Sequence, residues 1–120
     1  MPHRFRELKV WQKGMDLAAD VYSFSRTFPK EEQYVLTSQI RRAANSVPLN
    51  IAEGAGCRTD PEFAQFLGIA FRSCNEVVTA AELAVRLRYV TRDKADVLIA
   101  EIEELGSMLI GLMRKLDASG

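Results

Sequence analysis

Apolar residues recur at steps of three and four along almost the whole chain, the spacing that lays a stripe on one side of an α-helix. Leu8, Trp11, Met15, Ala18, Tyr22 and Ser25 form the first such line and predict a helix over about 6–27. Pro29 disfavours helical geometry in Phe28 yet suits the first turn of a new helix, so the break falls there. Leu36, Ile40, Ala43, Val47, Ile51 and Gly54 carry a second helix over about 30–55, closing in the glycine-rich EGAG, which suits a left-handed cap. In the connection CRTDPEF, either Asp60 followed by Pro61 or Thr59 paired with Glu62 can start a third helix, about 61–89. Its core line is Phe63, Leu67, Ala70, Cys74, Val77, Ala81 and Ala84. Thr91 caps the fourth helix, about 92–117, whose line runs Ala95, Leu98, Ile102, Leu105, Leu109, Leu112 and Leu116.

Short connections force neighbouring helices to run antiparallel. The pattern therefore predicts an all-α, up-down-up-down four-helix bundle, one domain over residues 1–120. Composition adds little to that picture and excludes several classes of function. Sixteen basic residues balance sixteen acidic ones, so no global field steers the chain toward nucleic acid or acidic lipid. The longest stretch without a charge is Ala43–Ala52, ten residues. That is far short of the roughly 20 needed to cross a bilayer. The segment MPHRFRELKVW lacks the apolar centre of a signal peptide, and a cytoplasmic protein without a membrane anchor is expected. Cys57 and Cys74 form no CxxC and the one histidine is His3, so neither a metal site, a cofactor nor a disulfide is expected.

One stretch breaks the helical grammar. RRAANSVPLNIAEGAG, residues 41–56, places a proline, two asparagines, a serine and a glutamate inside the second helix. Gln39, Arg42, Ser46, Asn50 and Glu53 step by three and four beside the apolar line, and Ser73 and Glu76 interrupt the third helix in the same way. In a hairpin folded near Arg58, Ser46 comes level with Ser73 and Arg42 with Glu76, an arginine–carboxylate pair within reach. Pro48 leaves the carbonyl of Ala44 without its helical donor, which Asn or Ser side chains or a trapped water could replace. Two uses of this seam compete. It either fixes register between helices or subunits, as polar residues at core positions do, or it lines a pocket for a small polar ligand with Arg42, Asn50, Glu53 and Glu76. No histidine, recurring carboxylate pair or phosphate loop accompanies it, so no catalytic residue is assigned.

The same residues carry a family resemblance. Leu8 and Trp11, Phe28-Pro29 with Glu32, Gln39, Arg42-Ala43 and Ser46, the run NIAEG at Asn50–Gly54, and Phe66, Ala70, Ser73 and Glu76 resemble the proteins encoded in intervening sequences of bacterial 23S rRNA genes. The likeness extends over about Phe5 to Leu116. It implies an antiparallel four-helix bundle assembling as a ring-shaped homopentamer, with no enzymatic activity and no cofactor. The chain is also similar to the accessory proteins of diversity-generating retroelements, a likeness that implies a positively charged outer surface holding nucleic acid.

With a net charge of zero, the best basic candidate here is local: Arg4, Arg6, Lys9, Lys13 and Arg58, joined at one end of the bundle by Arg114 and Lys115. A ring would multiply such a weak patch through avidity. Val10, Leu17, Val21, Phe24, Ile99, Ile110 and Met113 lie off the core lines; some can widen the bundle interior, and the remainder suit a subunit interface. The expectation is a non-enzymatic, homo-oligomeric scaffold with a nucleic-acid or protein partner. Alternatives are a nucleic-acid-binding accessory protein using the basic end and a small-ligand binder at the seam.

Overall fold

A computed structural model describes residues 3–119, with 118 and 119 described by backbone alone. Four α-helices make up the chain: α1 (Lys9–Ser25), α2 (Leu36–Ala55), α3 (Asp60–Arg86) and α4 (Arg92–Ser119). Single 3-10 turns at Phe5–Glu7 and Lys30–Glu32 precede α1 and α2. No strand occurs among the described residues. Each helix packs on its neighbours in the order α1, α2, α3, α4 and back to α1, around one shared core, in a body of 46 × 23 × 19 Å. The α2/α3 contact is the most extensive and α1/α4 the slightest.

Local chemistry sets the helix ends, and several differ from the sequence pattern. The first helix starts at Lys9 because Leu8 is extended (φ −75°, ψ 128°). The second starts at Leu36, six residues after Lys30, because Val35 leaves the helical region (φ −120°, ψ −98°). Glu32 bridges that start: its Oε1 accepts the Leu36 N–H at 3.3 Å, and its Oε2 accepts the Tyr89 hydroxyl at 2.7 Å. The Glu32 carboxylate accordingly pushes the Tyr89 phenol up to about 12.

Between Thr59 and Asp60 as the cap of α3, Thr59 takes the position. Its Oγ1 accepts the Glu62 N–H at 3.3 Å and donates to Glu62 Oε1 at 2.9 Å, a cap bond joined by a side-chain contact to the same glutamate. Thr91 caps α4 by accepting the Lys94 N–H at 3.2 Å. EGAG is not a left-handed cap: Gly56 closes α2 at φ −84°, and among the described residues the left-handed position belongs to Arg88 (φ 64°). There the Arg88 N–H reaches the Val85 carbonyl and the Tyr89 N–H reaches the Ala84 carbonyl, both at 2.9 Å, the Schellman pattern without its usual glycine. Helix α2 continues unbroken through Pro48.

The core lines of α2 and α3 are buried throughout, and that of α4 nearly so, with Leu112 partly buried. Helix α1 is turned by about one residue from its expected orientation. Of the apolar residues off the core lines, Val10, Leu17 and Val21 are ones that widen the bundle interior, while Met15 is 47% and Tyr22 38% exposed. Phe24, Ile99 and Met113 pack against the core as partly buried residues, and Ile110 lines a groove between α3 and α4. Helix one carries two adjacent apolar lines, and the aliphatic one takes the interior because β-branched and leucine side chains fill it without a polar tip to satisfy.

Candidate functional site

The polar seam divides into an inner and an outer part. Ser46 and Ser73 meet across α2 and α3 with their Oγ atoms 2.9 Å apart, as their level in the hairpin requires. Asn50 closes the set by donating Nδ2 to the Ser46 carbonyl at 2.8 Å and to Ser46 Oγ at 2.9 Å. These three satisfy one another, with Ser73 buried and its partners half-buried. The expected donor to the Ala44 carbonyl is thus directed to Ser46 instead.

Gln39, Arg42, Glu53 and Glu76 are exposed. Arg42 donates to Ser38 Oγ at 3.1 Å, one turn back on its own helix, and no ion pair joins it to Glu76. The Arg42–Glu76 pairing is therefore corrected. Both residues lie one step outside the line where the helices touch, and long charged side chains there extend into water at less cost than into a packed contact.

At the basic end two of the five candidate charges have acidic partners. Arg4 lies 3.6 Å from Glu7, and Lys13 donates to Glu104 Oε1 at 3.1 Å. His3 stands 3.6 Å from Asp60. Arg6 belongs to the 3-10 turn rather than to the face shared by Lys9 and Lys13, and its guanidinium lies over the Phe5 ring at 5.4 Å. Arg6, Lys9 and Arg58 are exposed and have no ion-pair partner among the described residues.

The rotation of α1 creates a feature that a single core line hides. Between α1 and α2 runs a groove of about 560 Å³ whose lining carries no charged residue; Phe5, Trp11, Met15, Tyr22, Pro48 and Leu49 dominate it. Leu49 is 64% exposed. The Phe5 and Trp11 rings meet edge-on at 5.2 Å, fixing one end. At the other, Tyr22 accepts from Asn45 Nδ2 at 2.9 Å and lies under the Arg41 guanidinium at 4.9 Å. Arg41 in turn donates Nε to Ser25 at 2.8 Å. The sequence signal for this groove was present as the second apolar line of helix one.

Titratable groups outside the seam divide into inert and perturbed. Burial pushes the Cys74 thiol up to about 11, and burial together with Glu62 and Glu53 raises Cys57, so neither is an activated thiolate. No cluster of His, Cys, Asp and Glu suited to a metal ion occurs among the described residues. No described helix is long and apolar enough to cross a membrane. Nothing in this arrangement points to catalysis.

Comparison with known proteins agrees with the helical geometry. No curated protein matches the chain. A crystal structure at 1.70 Å of a protein of unknown function from the S23 ribosomal protein family of Bacteroides thetaiotaomicron VPI-5482 is similar, at 26% identity and a TM-score of 0.78. That similarity covers 87% of this chain and 97% of the other. The family model described as 23S rRNA-intervening sequence protein matches residues 6–111, which include the whole polar seam and the groove residues Trp11 to Leu49. The chain therefore belongs to the family of 23S rRNA-intervening sequence proteins.

Proposed function

We propose that this protein is a non-enzymatic, homo-oligomeric scaffold whose copies associate through the apolar α1/α2 groove. One observation carries the reading: a charge-free strip with Met15, Tyr22 and Leu49 on the surface of a chain that is otherwise 27% charged. Such a strip costs solvation in a monomer and is stabilised when a second apolar surface covers it. On the far side of the bundle, Gly106, Ser107 and Gly111 of α4 line a groove of about 480 Å³ with Phe71 and Ile110, together with the charged Glu103 and Arg114. Association of these two unlike faces is head-to-tail, and such contacts close into rings when the rotation allows. The family resemblance favours five copies.

Sedimentation velocity tests this directly. The wild-type chain is expected to sediment at a multiple of 13.5 kDa. Met15→Glu with Leu49→Glu is expected to give a folded monomer, since both side chains are already exposed. A monomeric wild type at micromolar concentration overturns the reading.

A second reading, nucleic-acid binding at the basic end, rests on Arg6, Lys9 and Arg58, which have no ionic partner among the described residues and would be repeated in each copy of a ring. Filter binding across a salt series tests it. Retention that falls steeply with salt and is lost in the Arg6→Glu, Lys9→Glu, Arg58→Glu variant supports it, and no retention at low salt removes it. A ligand pocket at the seam finds less support, because Ser46, Asn50 and Ser73 already occupy one another's hydrogen-bonding positions.

A further inference from the structure

The slight contact between α1 and α4 holds an arrangement that the scaffold reading does not use. Two recesses open along this seam. One, of about 390 Å³, is lined by Lys13, Asp16, Ala19, Asp20 and Glu101. The other, of about 430 Å³, includes Asp20, Phe24, Lys94, Val97, Leu98 and Glu101. Asp20 of α1 and Glu101 of α4 are common to both, so the two carboxyls stand where the recesses adjoin.

The pair is chemically peculiar. Glu101 Oε2 is closed off from solvent, yet no N–H or hydroxyl of the described residues donates to it. The Asp20 carboxyl lines both recesses beside it. Two carboxylates are both acceptors, so a hydrogen bond between them requires that one carry a proton. Asp16 adds a third acid one turn away on α1. Of the nearby cations, Lys13 is held by Glu104 at 3.1 Å, and Lys94 lines only the second recess. Helix α3, packed on the other side of α4, contributes no residue to either recess.

We propose that the α1/α4 seam is a proton-operated clasp: Asp20 and Glu101 share one proton when the helices are closed, and its loss to solvent sets two carboxylates against each other and loosens α1 from α4. Desolvation first, then the Asp20 hydrogen bond and the charges of Asp20 and Asp16, raise Glu101 to about 7, while Lys13 opposes the rise. An acid raised in the folded state stabilises the fold below its unfolded value, near 4.5, and that contribution is lost as pH climbs to about 7. The clasp is thus closed in mild acid and open in mild base.

The test combines a carbon-13 titration of the Glu101 carboxyl with urea unfolding from pH 5 to 9. A midpoint near neutrality is expected, together with an unfolding constant that rises several-fold per pH unit across about 5 to 7. One proton sets a ceiling of about tenfold per unit, and solvent at a half-buried carboxyl lowers it. Glu101→Gln supplies a permanent hydrogen and is expected to flatten the profile. Lys13→Met removes the opposing charge and is expected to move the midpoint upward. Above neutrality, amide exchange in residues 13–25 is expected to accelerate beyond its intrinsic pH dependence in the wild type but not in Glu101→Gln. A Glu101 midpoint near 4.5 overturns the proposal, and so does a wild-type profile parallel to that of Glu101→Gln. Should Glu101→Gln fail to fold, the wild-type titration and the Asp20→Asn variant decide between the same outcomes, because Asp20→Asn also removes the shared proton.

Discussion

The α2/α3 and α1/α4 seams are built from opposite materials. Where α2 meets α3, Gly54 lets the helices approach until Phe63 and Phe66 cover the space a side chain would need. Only short polar groups fit farther along, and Ser46, Ser73 and Asn50 saturate one another there. Where α1 meets α4, Lys13, Asp16, Asp20, Glu101 and Glu104 hold the facing surfaces apart and two recesses remain. Small residues permit close approach and force polar groups into complete pairing. Long charged ones leave room for water and for titration. The inner network of one contact therefore holds no titratable group, while the other sets carboxyls between its helices.

The strongest way to break this contrast is at Gly54. A Cβ there lies 2.7 Å from Phe66 Cβ, 2.8 Å from Phe63 Cδ1 and 3.2 Å from the Phe63 carbonyl oxygen. Neither Phe66 Cβ nor the carbonyl is the free end of a flexible chain, so the helices must part. Gly54→Ala is expected to cost about 1–3 kcal/mol in urea unfolding. A cost under about 0.5 kcal/mol, the size of a neutral surface change, would mean that the approach is not tight.

This glycine also shows where sequence reasoning succeeds and where it stops. The apolar lines of α2 and α3 were legible because each helix carries one dominant stripe. Gly54 was correctly placed on that stripe, but as a neighbour of a left-handed cap. A glycine required by another helix looks the same in sequence as one required by its own φ, since both are simply the absence of a Cβ. Helix one was misoriented for a related reason: two apolar lines lie side by side, and only packing decides that Leu17 and Val21 go inward while Met15 and Tyr22 stay at the surface. The acidic seam was not legible at all. Asp16 and Asp20 share a face, but nothing local reveals that Glu101, some eighty positions later, comes to meet them.

A gentler change sharpens the comparison. Ser73→Ala removes one hydroxyl from the α2/α3 network and is expected to cost about 1 kcal/mol. The loss is limited because Ser46 Oγ keeps the Asn50 amide as donor. Ser46→Ala breaks the same contact from the other side, so the double variant is expected to cost less than the two single changes added together. Additive costs, measured in the same unfolding series, would deny that the two hydroxyls act as a pair.

The smallest effect is expected where the sequence suggested the strongest polar contact. Arg42 and Glu76 sit level on α2 and α3, yet both are exposed, and Arg42 is engaged with Ser38 on its own helix. A buried pair would make each single truncation strongly destabilising by stranding its partner, with much of the loss recovered in the double variant. Exposed and unpaired, Arg42→Met and Glu76→Leu are expected to stay within about 0.5 kcal/mol of wild type, singly and together, and to add. Thermal and urea unfolding of the three variants separate these patterns. A coupling above about 1 kcal/mol would place the arginine and the glutamate in contact in solution, and would extend the closed polar network of α2/α3 outward to its rim.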